Sequence, residues 1–211
     1  MDIARFKKLP IMGILRGIGE DSVEPVLEAA FSAGVETLEI TMNTENAERL
    51  ISRAVKVNTH RLMIGAGTVL NVESLRTALD AGASFIVMPA IIDEVIDYCV
   101  ENVIPVFPGA LTPGEIYHAW TSGATMVKVF PSGFFGPAYF KEIKGPFANI
   151  ELMACGGVKA ENITDYFANG ASAVSFGAGI FRKEWLANGE FEKMAGEMRK
   201  LVEAFRRTGG R

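Results

Sequence analysis

The sequence predicts an α/β protein, a single (β/α)8 barrel of the TIM type spanning residues 1–211. Two observations lead there. One pattern recurs four times: a helix-like stretch ends in a small residue and a glycine, and a β-rich run follows at once. These junctions are Ser32-Ala33-Gly34, Asp80-Ala81-Gly82, Thr121-Ser122-Gly123 and Ala168-Asn169-Gly170, and they stand 41 to 48 residues apart. Glycine suits a helix end because the residue there commonly needs a positive φ, which it adopts without steric cost. Four further apolar runs lie between, each ending in glycine: Ile11 to Gly17, Leu62 to Gly67, Val103 to Gly109 and Ile150 to Gly157. That makes eight strands alternating with helices, which demands right-handed crossovers and a parallel sheet.

Each element has its own signal. Ile11 to Gly17 precedes Val23, Val26, Leu27, Ala30 and Phe31, apolar at helical spacing; Val35 to Ile40 is the second strand. Leu62 to Gly67 leads to Leu75, Ala78 and Leu79, and the fourth strand is Ala83 to Val87. Val103 to Gly109, Ala124 to Val129, Ile150 to Gly157 and Ala171 to Ser175 complete the set. Arg182 to Arg207 reads as a last helical stretch with Leu186, Phe191, Met194, Met198, Leu201, Val202 and Phe205 on one broad face, and with Gly189 and Gly196 as its expected breaks. An open doubly wound sheet is the alternative. It lacks support because Gly65-Ala66-Gly67 runs into Thr68-Val69-Leu70 and leaves the dinucleotide fingerprint incomplete.

Composition narrows the function. A net charge of −4 with 22% charged and 49% apolar residues describes an ordinary globular chain, and its lysines and arginines form no basic stripe for nucleic acid. The longest apolar run, Phe85 to Ile92, is far below the ~18 residues of a membrane span, so no membrane association is expected. Met1 to Pro10 lacks the hydrophobic segment of a secretory signal, which predicts a cytoplasmic protein. Cys99 and Cys155 form no CxxC, and only His60 and His118 are at hand, so no metal site is expected. Both histidines read as surface residues.

In a barrel of this kind, chemistry sits at the C-terminal ends of the strands. Lys128 interrupts the otherwise uncharged run Met126-Val127-Lys128-Val129-Phe130-Pro131, and alternation places it on one face with Met126 and Phe130. If the valines meet the helices, Lys128 points into the barrel. An ammonium is costly to bury unless paired or neutral, and the neutral amine is a nucleophile that forms Schiff bases with carbonyls. The alternative is a strand-end lysine that reaches solvent or pairs with Glu39. Glu39, in Leu38-Glu39-Ile40-Thr41, falls on the barrel side and suits proton transfer, or a core ion pair with Lys128 or Arg16. Arg16 has a fork suited to a carboxylate, or to a rim salt bridge. Thr68 offers a hydroxyl nearby, although threonine at a strand end is also simply a β-former or a cap. Gly156-Gly157 and Gly177-Ala178-Gly179 let backbone N–H groups approach an anion, after the two strands where barrels commonly bind phosphate; tight turns are the other reading.

These residues resemble the 2-keto-3-deoxy-6-phosphogluconate and 4-hydroxy-2-oxoglutarate (KDPG/KHG) aldolase family. The resemblance covers nearly the whole chain and rests on Gly13-Ile14-Leu15-Arg16-Gly17-Ile18, Leu38-Glu39-Ile40-Thr41, Ile64-Gly65-Ala66-Gly67-Thr68-Val69-Leu70, Pro108-Gly109, Val127-Lys128-Val129-Phe130-Pro131-Ser132, Phe135-Gly136-Pro137 and Gly156-Gly157-Val158. It implies a class I, metal- and cofactor-independent aldolase in which Lys128 forms the Schiff base and Glu39 is the acid/base. Arg16 and Thr68 would hold the carboxylate. Phe130 and Pro131 would contact substrate, and Gly156, Gly157, Gly177, Ala178 and Gly179 would hold its phosphate. The expected substrate is a phosphorylated keto acid of gluconate or galactonate type, cleaved to pyruvate and glyceraldehyde 3-phosphate, by a homotrimer. A sugar-phosphate isomerase or epimerase, a 4-hydroxy-2-oxoglutarate aldolase and a catalytically silent phosphosugar-binding protein are the alternatives. Three positions depart from the family pattern. Asn43 stands where one branch has arginine, Cys155 where the branches have threonine or valine, and Gly179 where serine is common.

Overall fold

The eight apolar runs become nine parallel strand segments: β1 (Ile11–Leu15), β2 (Thr37–Thr41), β3 (Met63–Gly67), β4 (Ile86–Val87), β5 (Val106–Phe107), β6 (Gly109–Ala110), β7 (Val127–Val129), β8 (Leu152–Cys155) and β9 (Ala173–Phe176). The ninth segment arises because the fifth run is split at Pro108, which has no N–H to give to a ladder. β5 pairs with β4, whereas β6 pairs with β7. The order β5-β4-β3-β2-β1-β9-β8-β7-β6 therefore begins and ends in one stretch of chain, and the sheet closes as a barrel rather than an open sheet. This computed structural model describes residues 1–58 and 61–209; the expectation for His60 lies outside them. No described helix is long and apolar enough to cross a membrane.

Alternation along the strands sorts the side chains into two layers. Leu38, Ile40, Val127 and Val129 point outward into a large apolar layer shared with the helices. Met12, Met63, Phe85, Val87, Phe107, Met126, Met153 and Ala173 fill the barrel's interior near the strand starts. Phe6 joins that inner cluster and meets Phe107 edge-on, with ring centroids 5.9 Å apart. It comes from a helix, Ile3–Lys8, capped by the Asp2 side chain, which accepts from the Arg5 N–H. Six residues with one buried side chain show no periodicity, so nothing in the sequence marked this helix. It closes the N-terminal end of the barrel with an aromatic ring and leaves the C-terminal end for polar groups.

The final stretch divides at one of its two expected glycines. Helix Lys183–Ala187 ends before Gly189, which has φ +66°, and helix Phe191–Arg206 then runs through Gly196 without interruption. A glycine inside a helix costs about 1 kcal/mol. Burial of Met194, Ala195, Met198, Leu201 and Val202 on the same helix outweighs it.

Emptying the space held by the Phe6 ring is expected to cost about 3–5 kcal/mol. Urea unfolding of Phe6→Ala should show a lower midpoint with an unchanged slope, and a midpoint equal to that of the parent would mean the ring closes nothing.

Candidate active site

The site is built on the inner wall of the barrel, above the apolar plug. Lys128 lies mid-strand in β7, in register with Gly109 on one side and Met153 on the other, and is 6% exposed. Met126 is beneath it on the inner face, and its Nζ is 5.5 Å from the centroid of the Phe130 ring, within cation–π range. Glu39 occupies β2, in register with Ile14 and Gly65, and is 1% exposed. Its Oε2 has no hydrogen-bond partner among the described residues. Burial pushes the Glu39 carboxyl above the ordinary carboxylate range, while the charges of Lys128 and then Arg16 pull it back. Burial wins because desolvation penalises the charged form and no donor satisfies it.

The carboxyl fits only because of its neighbour in β3. A Cβ on Gly67 would lie 2.6 Å from the carboxyl carbon and Oε1 of Glu39, so the bare glycine is what lets that side chain lie against the wall. The next residue, Thr68, has φ +55°, a conformation that costs a β-branched residue on the order of 1–3 kcal/mol. That backbone brings the Thr68 hydroxyl to Arg16, whose Nη2 donates to it at 3.3 Å. Arg16 itself is exposed at the end of β1. The N–H of Gly17 donates to Thr44 Oγ1 at 3.0 Å, and Thr44 shares a second 3.0 Å hydrogen bond with the Thr41 hydroxyl, so the arginine loop is fastened to the end of β2. Asn43, beside this fastening, is exposed.

A cavity of about 290 Å³ opens over these groups, lined by Ile14, Arg16, Lys128 and Phe130 on one side and by Cys155 to Lys159 and Ser175 to Ile180 on the other. Gly156 and Gly157 have φ +98° and +79°. Among the described residues, the N–H groups of Gly156, Gly157, Ala178 and Gly179 donate to no protein acceptor. The loop is held from behind, where buried Ser132 donates from Oγ to the Gly156 carbonyl at 2.9 Å. Pro131 does not line the cavity; it backs the same loop, 3.8 Å from where a Cβ on Gly156 would lie. The Cys155 thiol faces the cavity, and burial raises its pKa, opposed first by the Lys128 charge. A larger cavity, about 620 Å³, lies at the opposite end between Lys7, Phe167, Phe205 and Arg207. It contains none of the strand-end groups and has no part in this chemistry.

This arrangement of a buried amine and carboxyl beneath an arginine and two glycine loops has known counterparts. Residues 3–196 match the family model described as "Aldolase: KDPG and KHG aldolase". The chain belongs to this family. It is similar to 2-dehydro-3-deoxy-6-phosphogalactonate aldolase of Escherichia coli K12, with 34% identity over 94% of this chain and 96% of the relative. A 2-dehydro-3-deoxy-phosphogluconate aldolase of Pseudomonas aeruginosa is 33% identical over 93% of this chain and 88% of its own length. Among solved structures, one described as native KDPGal superposes with a TM-score of 0.89 at 34% identity, covering 96% of this chain and 97% of that one.

Within the aldolase barrel, Lys128, Arg16, Phe130 and both glycine loops share one cavity; Glu39 and Thr68 do not line it, Glu39 being buried within reach of the Lys128 and Arg16 charges and Thr68 bonded to Arg16. The sequence reading names Gly67 and Ser132 within longer motifs without assigning them a role, and it misses Thr44 altogether. Their roles depend on neighbours 28, 24 and 27 residues away in the chain, which no local pattern reports.

Gly67→Ala is expected to displace the Glu39 carboxyl while leaving Lys128 in place. Turnover should fall at least tenfold with the circular-dichroism spectrum retained, and undiminished turnover would mean that the carboxyl has room to spare.

Proposed function

We propose that this protein is a class I aldolase that cleaves a 2-keto-3-deoxy-6-phosphoaldonate reversibly to pyruvate and glyceraldehyde 3-phosphate, with residues 1–211 acting as one domain. The observation that carries this reading is the burial of Lys128 and Glu39 on the inner wall beneath one cavity. The Lys128 amine adds to the C2 ketone, and the carbinolamine loses water to give a protonated imine. That cationic nitrogen draws in the electron pair of the C3–C4 bond. The C4 hydroxyl gives up its proton to Glu39, directly or through water, and the aldehyde product departs. The remaining enamine takes a proton at C3 and the resulting imine is hydrolysed to pyruvate, which restores the amine. Arg16 and Thr68 would hold the carboxylate, and the free N–H groups of the glycine loops would receive phosphate; the bond between Arg16 and Thr68 and the unengaged N–H groups support this. Phe130 would cover the imine nitrogen, with Pro131 holding the Gly156 loop from behind.

The same amine, carboxyl and arginine would serve 4-hydroxy-2-oxoglutarate, which shares C1 to C4 with the phosphoaldonate and ends in a carboxylate at C5 in place of the phosphate-bearing tail. A homotrimer in the cytoplasm is the expected working form; the resemblance supports it, and Phe134 and Phe135, 86% and 57% exposed beside the site loops, are available for a subunit contact. Assays on both C4 epimers determine which configuration the protein accepts.

Borohydride reduction in the presence of pyruvate should leave a stable adduct confined to Lys128 by peptide mapping, and Lys128→Ala should release no pyruvate. A folded sample without that adduct would sink the imine mechanism. Because the folded Glu39 carboxyl holds its proton more tightly than the unfolded value of 4.5, the base form is lost while pH is still above 4.5. The acid limb of the kcat profile should lie there, and Glu39→Gln should remove the limb and lower kcat by about 10²–10⁴. The same sign means that Glu39 ionisation works against folding as pH rises beyond 4.5 and has no effect well below it.

A further inference from the structure

Three cations line the cavity, and the chemistry above uses two of them, Lys128 and Arg16. The third is Lys159. It follows Gly157 by two residues on the loop after β8, and that loop is pinned at both of these positions by one side chain. Asn162 Oδ1 accepts from the Lys159 N–H at 2.8 Å, and Asn162 Nδ2 donates to the Gly157 carbonyl at 2.9 Å. The lysine is thus held next to the glycine pair, and among the described residues its ammonium enters no ion pair or side-chain hydrogen bond. The other cations described at this end of the barrel have partners: Arg16 the Thr68 hydroxyl, Lys128 the carboxyl and thiol beneath the cavity, and Arg182 the Gly179 carbonyl and the Trp185 ring.

The opposite loop has no polar side chain of its own from Gly177 to Gly179, and the arginine behind it, Arg182, is turned to the Gly179 carbonyl, to which its Nε donates at 3.1 Å, and to the Trp185 ring. Gly179 has no left-handed φ, and a Cβ there would meet nothing within 4 Å, so neither backbone conformation nor crowding requires glycine at that position. Gly177, Ala178 and Gly179 therefore offer N–H groups alone. A phosphate monoester carries about −1.5 to −2 charges at neutral pH, and neutral N–H donors orient it without neutralising it. A compact ammonium on the facing loop supplies the missing charge.

We propose that Lys159 is the side-chain anchor for the substrate's phosphate group and sets the preference for phosphorylated over unphosphorylated keto acids. Asn162 acts as the positioning residue for it. This rests on the aldolase reading of the site, and it adds a residue whose effect is confined to one end of the substrate.

The test compares the parent enzyme with Lys159→Gln and Lys159→Arg on a 2-keto-3-deoxy-6-phosphoaldonate and on the same 2-keto-3-deoxyaldonate with a free C6 hydroxyl in place of the phosphate. Lys159→Gln should raise the ratio of the two KM values about tenfold against the phosphorylated substrate, with kcat for that substrate within about twofold of the parent. Lys159→Arg should recover most of the ratio, because it restores the charge. Added salt should raise the parent's KM for the phosphorylated substrate more steeply than that of Lys159→Gln. Equal effects on both substrates, or no effect on either, would overturn the proposal. Calorimetric titration with inorganic phosphate separates it from the aldolase reading, since it needs no turnover. A Kd about tenfold weaker in Lys159→Gln supports the anchor even if neither substrate is cleaved, and an unchanged Kd rejects it even if both are.

Discussion

Placing an amine and a carboxyl inside a closed barrel, away from bulk water, is the constraint around which the molecule is arranged. Each charge would be expensive alone, and the two reduce that expense only while they remain close to one another. Glu39 shows the balance: desolvation favours its neutral form, and the charges of Lys128 and Arg16 oppose this without overcoming it. A carboxyl with its pKa raised in this way keeps its proton to a higher pH than a solvent-exposed carboxylate does. The fold therefore holds a polar pair at a stability disadvantage for the sake of its chemistry.

The rest of the barrel makes that placement tolerable. Phe6, Phe85, Phe107 and the inner methionines fill the strand starts, so the interior below the pair is dry and densely packed. Above it, β5 and β6 divide at Pro108, yet each half finds a neighbouring strand and the wall around Lys128 stays continuous. Gly67 leaves room for the carboxyl, and strain at Thr68 is accepted where its hydroxyl meets Arg16. Thr44 fastens the loop that carries Arg16, and Ser132 and Asn162 both fasten the loop after β8. Rigid strands position the reacting groups, and loops tied by a few side-chain hydrogen bonds position the groups that bind.

The groups around the cavity are ordered: Arg16, bonded to Thr68, stands at the end of β1, Lys128 and Glu39 lie buried in the inner wall, and free N–H groups stand with Lys159 on the loops after β8 and β9. The bottom cavity is larger, and it lacks this ordering of donors and charges. Size alone identifies no site here; the ordering of chemical groups does.

Much of the barrel and its reacting pair was legible in the chain itself. The glycine-punctuated repeat sets the number of strands, and a charge inside an apolar run must face the interior or be paired, so Lys128 and Glu39 could be placed from alternation alone. Both properties are local, because backbone pleat and helix-end geometry act between near neighbours. The short helix that carries Phe6, the break at Pro108, the left-handed Thr68 and the carboxyl lying against Gly67 were decided by tertiary structure. So was the meeting of Lys159 with both glycine loops around one cavity. Each of these depends on which groups barrel closure brings within contact distance, and closure is a property of all the strands at once, which no single stretch of sequence contains.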